Sequence, residues 1–287
     1  MPSRSATVAD AVLDRFSGPT RAWFAAAFPG PTPAQEGAWR AASDGEHALV
    51  VAPTGSGKTL AAFLWALDRI AVEQAERAVA GGPPPEPRTR CRVVYVSPLK
   101  ALAVDVERNL RSPLTGIRLA AQRLGEPVPD VTVGVRSGDT PADERRALAS
   151  RPPDILITTP ESLFLLLTSR ARESLTGVTT VIVDEVHAVA GTKRGAHLAV
   201  SLERLDALLG RPAQRIGLSA TVRPTDEVAR FLTGGRPARV VDPPSQKRWD
   251  IRVEVPVPDM AVLGGGPGGG ASAEVLGSAP PAGGPRL

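Results

Sequence analysis

The sequence predicts an α/β fold, a doubly wound and mainly parallel sheet with helices on both faces. Three observations predict it. Short β-branched apolar runs alternate with longer stretches of helical periodicity. Most of those runs are apolar throughout rather than at every second residue, as parallel strands covered on both faces are. One of them, Ala48-Leu49-Val50-Val51, leads into the glycine-rich stretch Ala52-Pro53-Thr54-Gly55-Ser56-Gly57-Lys58-Thr59, which opens a helical pattern. Strand, glycine loop and helix start in that order make a phosphate-binding loop, with Ala52 where the usual pattern has its first glycine.

The elements follow in chain order. Strands are expected at His47–Val51, Arg92–Val96, Val131–Val135, Ile155–Ile157, Val178–Val183 and Arg215–Leu218. Helices are expected from Leu60 to about Ala80 and over Leu99–Leu110, Pro141–Ala149, Glu161–Thr168 and Ala196–Leu209. The last carries Leu198, Leu202, Leu205 and Leu209 at helical spacing, a stripe that packing against a sheet explains. Gly81-Gly82-Pro83-Pro84-Pro85 reads as a surface loop. Ile251–Val257 alternates as a strand would, and from Val262 onward the chain is rich in Gly, Pro and Ala. That tail has too little apolar area to offset its ordering entropy, so disorder is expected there. Repeated strand–helix units of this kind place ligands at the carboxyl ends of the strands.

Composition excludes several classes. Cys91 is the one cysteine, so neither an internal disulfide nor a cysteine zinc site can form. Histidine occurs only at 47, 187 and 197, too few for a histidine zinc site. The strongest apolar cluster, Leu163 to Leu167, is far too short to span a bilayer, and the first residues lack a signal-peptide core. A cytoplasmic protein with no membrane partner is expected. The net charge of +4 permits nucleic-acid binding without demonstrating it.

Two further stretches carry chemistry. In the phosphate loop, Gly55 and Gly57 let the backbone wrap a phosphate, while Lys58 reaches its outer oxygens. The Thr59 hydroxyl suits Mg²⁺. Val181-Ile182-Val183-Asp184-Glu185-Val186-His187 ends a buried strand in two carboxylates at the ligand edge. Asp184 there suits Mg²⁺ held through water, and Glu185 suits a base that orients and deprotonates an attacking water. Gly217-Leu218-Ser219-Ala220-Thr221 ends another strand, where the hydroxyls of Ser219 and Thr221 can bond His187 and couple the nucleotide site to movement elsewhere.

Taken in order, these motifs resemble the first RecA-like lobe of a superfamily 2 DExH-type helicase, and most of all the large helicase-related (Lhr) family. The resemblance runs from about Phe16 to Asp259. It rests on Pro31-Thr32-Pro33-Ala34-Gln35, the phosphate loop, Ser97-Pro98-Leu99-Lys100-Ala101-Leu102, Arg136-Ser137-Gly138-Asp139-Thr140, Thr158-Thr159-Pro160-Glu161-Ser162-Leu163, Asp184-Glu185-Val186-His187, Gly191-Thr192-Lys193-Arg194-Gly195-Ala196-His197 and Ser219-Ala220-Thr221. The stretch from Asp154 through Leu202 favours Lhr over other branches.

The resemblance implies a RecA-like P-loop NTPase that binds ATP and Mg²⁺ and tracks single-stranded DNA or RNA, with a repair-type role. Residue by residue, it implies nucleotide contacts from Thr54, Gly55, Ser56, Gly57, Lys58 and Thr59, and adenine reading by Gln35. It implies catalytic roles for Lys58, Asp184, Glu185 and His187, magnesium at Thr59 and Asp184, and coupling through Ser219 and Thr221. Pro98, Lys100, Arg136, Gly138, Thr159 and Pro160 fall in motifs that follow a strand's backbone, and Lys193 and Arg194 are candidates for the same role. The implied domains are a helical lead-in over 1–28, the ATP-binding domain over 29–242, the start of an inter-lobe connection over 243–261 and the tail over 262–287.

Helicases of this class work with two such lobes, and the second supplies an arginine finger worth about 10³–10⁵ in rate. Neither a second lobe nor a winged-helix domain is expected within these 287 residues. The expectation is a chain truncated before the second lobe, which binds Mg-ATP weakly, hydrolyses it slowly and unwinds nothing alone. The alternative is a stand-alone ATP- and nucleic-acid-binding module, or one half of a split helicase. Another P-loop class fits less well, because neither Leu-Ser-Gly-Gly nor Asn-Lys-x-Asp is present and Gln35 implies adenine over guanine.

Overall fold

In a computed structural model, the described residues are 12–244, apart from 54 and 84, together with 252. Two units divide the chain between 245 and 246, and the first holds every described residue but Arg252. The alternating strand at 251–257, the tail at 262–287 and most of the 243–261 connection therefore lie outside the described residues.

Among the described residues, seven strands form one sheet in which every pairing is parallel. They are β1 (His47–Val51), β2 (Val93–Val96), β3 (Val133–Arg136), β4 (Ile155–Thr158), β5 (Thr180–Val183), β6 (Gln214–Ser219) and β7 (Ala238–Val241), in the spatial order β3-β4-β2-β5-β6-β1-β7. Parallel neighbours require crossovers, and helices supply them on both faces. Helices α1 (Gly18–Ala27) and α2 (Pro33–Ser43) precede β1, and the connections after it carry α3 (Lys58–Val79), α4 (Pro87–Arg90), α5 (Lys100–Leu124), α6 (Ala142–Ser150), α7 (Pro160–Leu167), α8 (Val186–Val189), α9 (Lys193–Leu209) and α10 (Thr225–Thr233).

Strand side chains alternate between two cores, which is why the strands read as unbroken apolar runs. Val50, Val93, Tyr95, Ile155, Ile157 and Ile182 face α2, α3 and α5. Leu49, Val51, Val94, Val96, Leu156, Val181 and Val183 face α7, α9 and α10, where Leu198, Leu202 and Leu205 of the expected stripe are buried. A third cluster joins Phe16 and Phe24 to Trp39, Leu64 and Ile117, seating the N-terminal helix on α5. Cys91 is buried before β2, and burial pushes its thiol up to about 12, so it is inert packing.

All six expected strands are present, with ends shifted by at most two residues, but the mainly parallel sheet is wholly parallel. Helix α5 departs most from expectation: it runs fourteen residues past Leu110, through Pro113. Proline ordinarily ends a helix by removing a donor. Here Ile117, Ala120 and Ala121 beyond it are buried, and that packing overrides the local signal.

His47 on β1 accepts the Arg215 N–H at its Nδ1, 3.0 Å away. Burial, then the charges of Arg215 and Arg236, hold its pKa below the ordinary value, so the ring stays a neutral acceptor.

Candidate nucleotide and nucleic-acid site

Because the sheet is parallel throughout, every strand's carboxyl end lies on one edge. The loops after β1, β5 and β6 occupy one half of that edge, and those after β2, β3 and β4 the other.

The phosphate loop leaves β1 flush with β6, since the Ala52 N–H donates to the Ser219 carbonyl at 3.1 Å. Gly55 and Gly57 have φ of 81° and 78°, a left-handed backbone that strains any side chain. Gly57 is also the N-cap of α3, and a Cβ there would lie 2.5 Å from Gln35 Nε2. With no side chain to cap it, the first turn of α3 keeps its donors for another partner. The Ser56 hydroxyl is buried with no protein partner among the described residues. Lys58 begins α3, and its Nζ donates to the carbonyls of Ala52 and Pro53. Burial lowers the Lys58 pKa, while the charges of Glu185 and Asp184 act to raise it. Thr59 is half-buried in the first turn, and Thr54 lies outside the described residues.

Asp184 follows β5 and is 7% exposed. Its Oδ1 accepts the Glu185 N–H at 2.8 Å, and its Oδ2 accepts the hydroxyl of Tyr95. Tyr95 is fully buried on β2, and its ring stacks on Phe63 of α3 at 4.8 Å and 22°. Burial, then the Asp184 charge, hold the phenol well above its ordinary pKa, so it remains a donor. Glu185 is the one non-glycine residue with positive φ among the described residues, at 45°. Such backbones are costly and persist where the surroundings fix them, often at functional sites.

Glu185 Oε2 lies 3.3 Å from His187 Nδ1. The same nitrogen lies 3.2 Å from the Ala220 N–H and 3.3 Å from Ser219 Oγ. A backbone N–H only donates, so Nδ1 is the acceptor in the Ala220 contact. Ser219 thus joins His187 as expected. Thr221 is exposed, and the second bond to His187 comes from the Ala220 backbone rather than from the Thr221 hydroxyl.

Gln35 is buried, and its oxygen and nitrogen each hold one protein partner. Its Oε1 accepts the Thr32 N–H at 2.9 Å in a capping box, and its Nε2 donates to the Gly57 carbonyl at 3.4 Å. Thr32 adds a bond from its hydroxyl to the Ser56 carbonyl at 3.0 Å. Gln35 therefore braces the phosphate loop.

On the other half, Arg136 ends β3 and its carbonyl accepts the Thr158 hydroxyl at 2.8 Å. Burial lowers the Arg136 pKa, aided by nearby Arg145. Gly138 lies in the exposed turn that follows. Thr159 caps α7 by accepting the Ser162 N–H, and Pro160 is the first residue of that helix. Pro98 is buried, Lys193 is exposed, and Lys100 begins α5 with its side chain outside what the structure describes. Arg194 bonds Glu161 and the Pro98 carbonyl.

Sequence reasoning missed Tyr95. One signal was available: a lone phenol in a buried strand must find a partner for its hydroxyl, and the adjacent strand ends in a carboxylate. No group of three or more His, Cys, Asp or Glu able to hold a metal occurs among the described residues, and no described helix is long and apolar enough to cross a membrane.

Comparison with known proteins adds four findings. The DEAD/DEAH box helicase family profile matches residues 32–229. The chain is 67% identical over 251 residues to the Lhr helicase/probable uracil glycosylase of Mycolicibacterium smegmatis, covering 88% of this chain and 16% of that protein. It is 60% identical over 247 residues to the Lhr helicase/uracil glycosylase of Escherichia coli, covering 86% and 16%. A solved structure, Mycobacterium smegmatis helicase Lhr bound to ssDNA and AMP-PNP, superposes with a TM-score of 0.77 and 66% identity over 87% of this chain and 30% of that one. The chain thus spans about a sixth of the length of these curated relatives.

Proposed function

The chain belongs to the DEAD/DEAH box helicase family, and from that premise we propose that it is the ATP-binding lobe of an Lhr-type helicase or translocase. ATP is its substrate and single-stranded nucleic acid its track. A second lobe, in the same chain or another, completes the nucleotide cleft. The observation that carries this reading is the convergence on one sheet edge of an uncapped glycine loop, the Asp184–Glu185 pair and the His187–Ser219 link. The Lhr structure that binds ssDNA and AMP-PNP supports the choice of ligands.

In this reading the first turn of α3 and the orphaned Ser56 hydroxyl hold the β- and γ-phosphates. Lys58 leaves its loop carbonyls for the phosphate oxygens and disperses charge as the γ-phosphoryl is transferred. Glu185 accepts the proton of the attacking water, and Gln35 reads the adenine edge. His187 sits between Glu185 and the end of β6, so a change at the γ-phosphate shifts its bonds to Ser219 and Ala220. That link can carry the chemical state of the cleft toward the strand-binding half and a second lobe.

Magnesium fits this donor set. Each Asp184 oxygen has one protein donor and retains a lone pair, and Thr59 offers a half-buried hydroxyl in the first turn of α3. Such a set suits an ion carried in mainly by phosphate and water rather than a protein cage. When bound, the ion would neutralise phosphate charge, held by Asp184 and Thr59. Replacing Tyr95 with Phe is then expected to raise the Mg²⁺ needed for half-maximal nucleotide binding about 10-fold, with metal-free affinity unchanged. Equal losses with and without the metal would reduce Tyr95 to scaffolding.

The central test is ATP binding and hydrolysis by the purified chain, with and without single-stranded DNA, against Lys58→Ala. Binding that Lys58→Ala abolishes, with slow turnover, is the expected result. Strand-stimulated rapid turnover would show that no second lobe is needed. Binding insensitive to Lys58 would remove the phosphate loop from the site.

A further inference from the structure

Two loops of the strand-binding half and one that follows β5, next to them in the sheet, meet at one side chain. Arg194 is the second residue of α9. Its Nε donates to Glu161 Oε1 at 2.6 Å, and its Nη2 donates to the Pro98 carbonyl at 3.0 Å. Glu161 sits in the first turn of α7, the helix that Thr159 caps. Pro98 lies in the turn between β2 and α5. The strands that lead into these loops, β4, β2 and β5, are adjacent in the sheet. One guanidinium therefore ties together three neighbouring loops that come from distant parts of the chain. The bond from Arg194 holds the Glu161 carboxyl below its ordinary pKa, so both partners are charged near neutrality.

We propose that Arg194 is a positioning residue of the strand track: it sets the spacing of the Pro98 and Thr159–Pro160 loops, and its charge is committed to Glu161 rather than to a phosphate. This rests on the strand-binding reading above. The planar fork suits the task, because one guanidinium satisfies a carboxylate and a carbonyl in fixed directions. A lysine carries the charge without the fork.

The rival role, direct phosphate contact, makes opposite predictions. If Arg194 gripped a phosphate, Glu161→Gln would release it from a competitor and tighten binding. Arg194→Ala would also flatten the salt dependence, by about 0.7 in the log–log slope for a single strand. As a clamp, Arg194→Ala and Glu161→Gln should each weaken binding about 3–10-fold, and the double variant should be no worse than the weaker single. The salt slope should not change, and Arg194→Lys should fail to rescue.

The experiment measures the affinity of the chain for a fluorescein-labelled oligo(dT), with AMP-PNP and Mg²⁺, across about 50–200 mM salt. Weaker binding by both single variants at an unchanged slope is expected. Tighter binding by Glu161→Gln, a lost slope in Arg194→Ala or rescue by lysine would overturn the clamp while leaving the strand-binding reading intact. Failure of the unaltered chain to bind the oligonucleotide would overturn that reading and the clamp with it.

Discussion

Exchange of Glu185 for Gln is expected to lower ATP turnover by about 10²–10⁴-fold, the usual contribution of a positioned general base, when the chain works with its second lobe. Nucleotide affinity should stay within a few-fold of the original. The substitution keeps the side chain's length and leaves the 185 N–H, which holds Asp184 Oδ1 at 2.8 Å, in the backbone. It also keeps a residue of similar shape at the strained φ of 45°. What it removes is the oxygen that can take a proton from water. Lys58→Ala should behave differently, since it deletes a charge that faces the phosphates and so acts on binding first. Single-turnover hydrolysis together with equilibrium binding of a fluorescent ATP analogue separates the two. Retained turnover in Glu185→Gln would take the base role away from that residue. A parallel loss of binding would mean that Glu185 acts by shaping the loop.

The sheet was legible because burial on both faces writes a local signal: short, mostly apolar runs rich in Val and Ile, each ending at a carboxyl edge. β7 was not, because its middle residues Arg239 and Val240 are exposed on an edge strand and the run is only four residues long. α10 was missed too: it is a nine-residue helix whose buried apolar residues are only Val228, Ala229 and Leu232. The phosphate loop and the Asp184–Glu185 pair could be read because glycine freedom and paired acids are properties of a short stretch. Tyr95 and Asp184 stand 89 positions apart, and Arg194 and Pro98 stand 96 apart. No local pattern encodes such partners, which exist only once β4, β2 and β5 lie side by side. Gln35 shows a different gap. Its motif was readable, but its bond to Gly57 depends on how α2 packs against α3.

The opposite edge of the sheet offers the largest expected effect on stability. Arg215, at the start of β6, has a side chain only 1% exposed. Its Nη2 donates to Asp206 at 2.6 Å and to Glu203 at 2.8 Å, and its Nη1 donates to the Leu232 carbonyl at 3.0 Å. Arg236 bonds the same two acids, at 2.9 Å each. Replacing Arg215 with Met should cost about 3–5 kcal/mol in urea unfolding, because it strands buried acid and carbonyl groups that the guanidinium had satisfied. Adding Asp206→Asn should recover part of the loss by removing the stranded charge while keeping an oxygen for the Ala213 N–H, 3.0 Å away. A loss under about 1 kcal/mol would mean that water or Arg236 replaces Arg215 in full. Nucleotide affinity measured well below the unfolding transition should not change, since β6 carries its ligand-side residue, Ser219, at its other end. If affinity fell together with stability, the two edges would be coupled through β6, and the strand would be a conduit between the buried charges and the site rather than a spacer between them.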